Sequence, residues 1–194
     1  MKPIVIDDLL NIYEYEKVRE SYRKDLLVYK ADRRVSLGPH ITLTFENRRT
    51  MKFQIQEMMR AERMAHDAQI QEEIDIYNSL LPMKDSLSAT LFIEVSDEAK
   101  IKPVLNQFIG LTLGKSVYFK LGEHRVYATF EAGREAEDKI SSVHYIQFPF
   151  GADSKAIFLE SADPIILGID YKDYIFELQL APAIIKSLHH DFNS

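Results

Sequence analysis

The sequence predicts a single α+β domain, with helices concentrated in the first half and mainly antiparallel sheet in the second. Three observations lead there. Apolar residues recur every three or four positions between Tyr13 and Lys30 and again between Ile55 and Leu81, the period of an amphipathic helix. Apolar and polar residues alternate along 41–46 and 174–180, the period of a half-buried strand. A length of 194 residues with 46% hydrophobic and 28% charged side chains suits one domain with a sizeable core. The domain, 1–194, divides into a helical N-terminal segment (1–34), a central strand hairpin with a helix pair (35–82) and a strand-rich part (83–194).

Taken in order, Asp7 or Asp8 is suited to cap a first short helix. Tyr15, Val18, Tyr22, Leu26 and Tyr29 mark one face of the helix over 13–30, with charges filling the rest. Gly38-Pro39 punctuates the chain before a strand in which Ile41, Leu43 and Phe45 alternate with Thr42, Thr44 and Glu46. Asn47-Arg48-Arg49-Thr50 reads as a hairpin loop, with Met51–Ile55 returning as a strand and passing into a helix near Gln54–Glu57. A second helix over 68–81 stops at Pro82. Residues 88–95 form an apolar strand-like run, and Ser96 is placed to cap a helix reaching Phe108, ended by Gly110 and Gly114.

The remainder reads as antiparallel strands. Segments 117–121 and 125–130 flank a Gly122-Glu123-His124 turn, and 143–148 alternates with Val143 and Tyr145 on one side and His144 out of phase. Segments 165–169 and 174–180 flank Asp170-Tyr171-Lys172-Asp173, and Pro182 suits the first turn of a closing helix carrying His189 and His190 toward solvent. The charged stretch 131–139 and the stretch 151–161 read as loops.

Composition excludes several chemistries. With no cysteine the chain has no disulfide, thiolate zinc site, cysteine nucleophile or cysteine-ligated iron–sulfur cluster. A net charge of −6 gives no steering toward nucleic acid or an anionic membrane, although Arg33-Arg34 and Arg48-Arg49 are local basic pairs. The N-terminus lacks a signal-peptide core and no apolar run nears the roughly 18 residues needed to span a bilayer, so a cytoplasmic location is expected. P-loop, dinucleotide-binding, nucleophile-elbow and His-Glu-x-x-His motifs are absent.

The candidate site lies in 38–78. Glu62 falls on the stripe of Ile55, Met58, Met59 and Ala65, and Glu73 on that of Ile70, Ile74, Tyr77 and Leu80. A carboxylate there is raised in pKa, paired with a cation or bound to a metal. A divalent metal would draw on Glu62, His66 and Glu73, with His40 adding a nitrogen, although di-metal bundles use a Glu-to-His spacing of three rather than the four seen here. The structural alternative is an ion-pair network among Arg48, Arg49, Arg60 and Arg63, with Glu57 reaching Arg60 along its helix. A third reading makes the arginines the receptor for a small anion. His40 is placed to act as base or ligand, and His66 to end a helix where its cation meets the dipole.

The blocks RRVSLGPHITLTFENRRTMKFQIQEMMRAER, IQEEIDIYNSLLP and LSATLFIE, followed later by DKISSVHYIQF, resemble a bacterial family catalogued as domain of unknown function 3501. The resemblance spans essentially the whole chain. Residues matching its middle block include His40, Glu46, Asn47, Arg48, Gln54, Gln56, Glu57, Arg60, Glu62, Arg63, Glu73, Tyr77 and Asn78. Genes of that family often stand beside a rubrerythrin-like protein and an iron–sulfur oxidoreductase, which implies a redox or peroxide-defence setting. Two expectations follow: a binding or accessory protein of such a system, or a metal- or small-anion-binding enzyme using the Glu/His/Arg cluster. Nucleic-acid binding is the weakest reading, given the acidic balance.

Overall fold

In the computed structural model, residues 1–133, 135–136, 139–160 and 163–193 are described. A one-turn 3-10 helix at Ile6–Asp8 precedes α1 (Ile12–Ala31). Asp8 does not begin that turn but ends it, its carboxylate reaching back to the Val5 N–H; Asn11 caps α1 by accepting from Glu14 N.

The first hairpin is formed by β1 (Arg34–Leu37) and β2 (Ile41–Glu46), turning at Gly38. This corrects the expected hairpin loop at 47–50 and the strand at 51–55. Asn47 is instead a helix cap: its Oδ1 accepts from Arg49 N and Thr50 N, and Thr50 Oγ1 accepts from Asn47 N. With both orphan ends satisfied, α2 (Arg48–Ala61) starts at once and buries Met51, Ile55 and Met59, four residues apart. The cap and the four-residue period outweigh the brief alternation that suggested a strand.

Next come α3 (Asp67–Ser79), β3 (Ser86–Ile93) and α4 (Ile101–Gln107); the turn leading into α4 is capped by Asp97, not Ser96. There follow β4 (Val117–Leu121), β5 (His124–Tyr127), β6 (Thr129–Phe130), β7 (Glu135–Ala136), β8 (Lys139–Ile140) and β9 (Val143–Pro149). The chain closes with α5 (Gly151–Glu160), β10 (Ile165–Tyr171), β11 (Tyr174–Gln179) and α6 (Pro182–Phe192). The expected loop over 151–161 is therefore corrected to a helix as far as Glu160. Within the expected loop over 131–139, β7 and β8 pair at Ala136 and Lys139, while Arg134, Glu137 and Asp138 lie outside the described residues, as does Ser161.

One sheet has the order β1-β2-β3-β9-β6 and the other β11-β10-β4-β5, all antiparallel. A single residue, Ala128, carries the chain from β5 in one sheet to β6 in the other. The main core brings together Leu43, Phe45, Leu91 and Phe148 from the first sheet and Phe119, Leu167 and Ile169 from the second. The alternation expected of β9 holds, and His144, out of phase with Val143 and Tyr145, belongs to this inward face with Ile146 and Phe148; its Nε2 meets Ser141 O at 2.8 Å. Tyr145 points the other way and packs on a second cluster made by Ile4, α2 and α3. Six α-helices and two larger antiparallel sheets, with the two-stranded β7–β8 ribbon beside them, thus form one compact fold, helices mostly early and strands mostly late, among the described residues. None of these helices is long and apolar enough to cross a membrane.

Candidate functional site

The face of the first sheet that turns away from the main core is polar. Cross-strand pairing aligns Glu46, Ser88, Gln147 and Thr129 in one row and Thr44, Thr90 and Tyr145 in the next. Alternation puts these side chains under α2 and α3, because Phe45, Ala89 and Ile146 take the core side. Glu46 is only 1% exposed. Its Oε1 accepts from Thr90 Oγ1 at 2.9 Å with Lys30 Nζ at 4.0 Å, while Oε2 is buried without a partner. Ser88 Oγ donates to Leu80 O at 2.7 Å. Gln147 Nε2 donates to Leu80 O at 3.4 Å and Leu81 O at 3.1 Å, and its Oε1 is likewise buried without a partner. A cavity of about 200 Å³ opens here, lined by Leu80, Ser88, Phe130, Glu131, Tyr145 and Gln147 among others. Beside it, burial pushes the Tyr77 phenol up to about 12, reinforced by Tyr145, Glu73 and Glu46. Among the described residues no lysine, arginine or histidine lines the cavity, and Lys30 approaches the polar row at Glu46.

The structure does not gather the expected metal ligands. Glu62 stands just past the end of α2 and is exposed, because the helix stops at Ala61 and Arg63 turns left-handed at φ 54°. The inward-facing Glu62 is therefore a correction: the helical stripe does not extend that far. His66 is exposed and begins α3 rather than ending a helix, and Glu73 is half-buried. Among the described residues no three His, Asp or Glu side chains are grouped so as to hold a metal ion.

The arginines and their acids tie helices together. Glu57 does not pair with Arg60. It accepts from Arg19 Nε and Nη2, both at 2.8 Å, and from Tyr15 OH at 2.7 Å, joining α2 to α1. Arg60 Nε reaches Glu16 at 2.9 Å on the same pair of helices. Arg48 binds Asp8 and holds its carboxyl below the usual range. Asn78 bonds both polar atoms of the Ile4 backbone, at 2.8 and 2.9 Å, and so pins the N-terminus to α3. Gln54 is half-buried on α2. His40 sits at the first hairpin, where its Nδ1 meets Glu94 O at 3.2 Å and its ring lies against Phe108 and Tyr174.

The expected basic pairs are not patches. Arg33 is 0% exposed and ion-pairs with Asp191, while Arg34 reaches Glu94 at 2.5 Å. Arg49 lies 4.2 Å over the Tyr29 ring. His189 is half-buried against Phe158 instead of facing solvent. Glu46 and Tyr77 are site candidates from the sequence, and they stand in and beside these polar rows; Ser88, Thr90 and Gln147 complete the rows and are not among those candidates. Their one local signal is a polar residue inside an apolar strand, which by itself does not tell a solvent face from a buried polar row.

The family model described as Protein of unknown function (DUF3501) matches residues 3–192. The chain belongs to that family. This DUF3501 chain is similar to the crystal structure of a novel protein of unknown function from Burkholderia pseudomallei K96243. The two are 32% identical with a TM-score of 0.89, over 98% of this chain and 99% of that one. No curated protein matches it.

Proposed function

We propose that this DUF3501 protein is a cytoplasmic binding or accessory component of a redox system, and that it docks an iron–sulfur oxidoreductase or a rubrerythrin-like protein along strand β11. The observation that carries this reading is the state of that strand. β11 is an edge of the second sheet, and on its outer side no described strand pairs with it. Residues 175–179 are exposed on both faces, including Ile175 at 60%, Phe176 at 38% and Leu178 at 44%. An edge that offers unpaired backbone groups and apolar side chains together is a template for strand addition by another chain.

Chemistry supports the same division of labour. The chain has no cysteine, so any cluster-borne electrons belong to the partner. The redox setting itself rests on the gene neighbourhood implied by family membership. The rival reading, an enzyme built on the Glu/His/Arg cluster, has weaker support. Glu57, Arg48 and Arg60 are each spent on holding helices together.

The test is size-exclusion chromatography and calorimetry of the purified chain with each of the two neighbouring gene products. We expect a stoichiometric complex with one of them, lost in the double variant Ile175→Lys, Leu178→Lys while the variant's melting stays unchanged. A wild-type chain that elutes alone in the presence of both would overturn the proposal.

A further inference from the structure

We propose that the hollow between the start of α1 and the end of α2 is a binding site for a small aromatic carboxylate, held by Arg60 and Arg63. The proposal is independent of the β11 docking reading.

The two guanidiniums are the observation that carries it. Arg63 stands just past the end of α2, where the backbone turns left-handed at φ 54°. Its guanidinium has no hydrogen-bond or ion-pair partner among the described residues. Arg60, three residues earlier, donates to Glu16 through Nε at 2.9 Å. That leaves its Nη1 and Nη2 without an acceptor among the described residues. Both side chains line one hollow of about 550 Å³. A guanidinium presents parallel N–H donors in a planar fork, which matches the two oxygens of a carboxylate.

The surrounding charges leave that preference standing. Glu16 is the one carboxylate of the described lining, and it is already paired with Arg60. Glu62, next to Arg63 in the chain, is exposed and forms no ion pair with it. The two helix ends that flank the hollow oppose each other, the start of α1 favouring an anion and the end of α2 disfavouring one. Two guanidiniums against one carboxylate therefore set the sign, and they select an anion.

The rest of the lining selects the body of the ligand. Ile12, Ala61 and Ala65 supply an aliphatic wall. The Tyr13 ring is 83% exposed and makes no ring contact among the described residues, so one of its faces is open to a flat partner. The hollow falls within the range of small-molecule sites, about 300–1,000 Å³. A ring laid against Tyr13 with its carboxylate toward Arg60 and Arg63 uses both halves of the lining.

The experiment is a titration of the full chain with benzoate, benzamide, acetate and benzylammonium in turn, followed by amide chemical shifts in two-dimensional NMR. With benzoate we expect saturable shifts confined to residues around Tyr13, Ala61 and Arg63. Benzamide has the same shape without the charge and should bind at least about tenfold more weakly. Acetate lacks the ring and should also bind more weakly, and benzylammonium should not bind. Arg63→Gln, at an exposed position, should weaken benzoate at least about tenfold while the melting temperature stays unchanged. Equal binding of benzamide or acetate, benzoate binding untouched by Arg63→Gln, or no saturable shift with benzoate would each overturn the assignment.

Discussion

Arg33 and Asp191, 158 residues apart, form an ion pair that is wholly withdrawn from solvent. The pair is bonded on every side. Arg33 Nε donates to Phe45 O at 2.8 Å, and its Nη1 donates to Ser187 Oγ at 2.8 Å and Tyr29 OH at 3.3 Å. Asp191 also accepts from Asn47 Nδ2 at 2.7 Å. One cluster thereby joins the end of α1, the strand β2, the cap of α2 and the last turn of α6. Burying two charges is costly, and this site tolerates it because the guanidinium and carboxylate satisfy each other and their neighbours.

Removing one partner leaves the other charge bare. Asp191→Ala is expected to cost about 3–5 kcal/mol in chemical denaturation. Arg33→Met combined with Asp191→Leu should lose less than the sum of the two single changes, because no charge is then stranded. A loss below about 1 kcal/mol for Asp191→Ala would place the pair with ordinary surface bridges.

Acid should loosen the α1–α2 junction. Hydrogen bonds from Arg19, aided by Tyr15, hold the Glu57 carboxyl below its ordinary value of 4.5 in the folded chain. The folded pKa is depressed, so this stability is present above the unfolded value and is lost as pH falls through the folded one. Denaturation midpoints should decline below pH 4.5, and Glu57→Gln should show a shallower decline in that window.

Alkali should act on Tyr77 with the opposite sign. Burial raises its phenol from 10.0 to about 12. The unfolded chain ionises first, so stability is intact below pH 10 and is lost as pH rises toward 12. Tyr77→Phe should flatten the alkaline limb of a pH–stability profile.

The first hairpin turn depends on a missing Cβ. At Gly38, with φ +75°, an added Cβ would stand 2.6 Å from the Phe176 ring. Gly38→Ala is expected to cost more than about 1 kcal/mol from backbone strain and the clash together. Gly122, also left-handed at φ +58° but with nothing within 4 Å, is the internal reference. Gly122→Ala should cost less, and the difference in melting reports the clash.

A single hydroxyl staples that hairpin to β11. Tyr174 OH accepts from His40 N at 3.0 Å and Ile41 N at 3.1 Å and donates to Leu37 O at 2.5 Å. Tyr174→Phe should lose about 1–3 kcal/mol. Amide hydrogen exchange at His40 and Ile41 should accelerate, and unchanged exchange would remove the staple's significance.

Local periodicity carried much of the architecture. The helix over 13–30 and the strands at 41–46, 117–121 and 165–169 were legible because each writes its own repeat of three-and-four or two. Asn47 was misread because Asn and Thr serve loops and helix caps alike, and only the fate of the next residues separates the two. Glu62 was misread because a stripe on paper continues past the point where the backbone turns at Arg63. Glu46 was named from the strand it ends, yet its neighbours Ser88 and Gln147 lie on two other strands and carried no mark of belonging with it.

By itself the sequence determined the α+β class, the absence of thiol chemistry and the family, since these rest on composition and on residues close together in the chain. Tertiary structure alone decided which charges pair, which polar atoms are stranded and which strand is left open. Coulombic and hydrogen-bond energies depend on distances in space, and Arg33 meets Asp191 only once the sheets and α6 have packed.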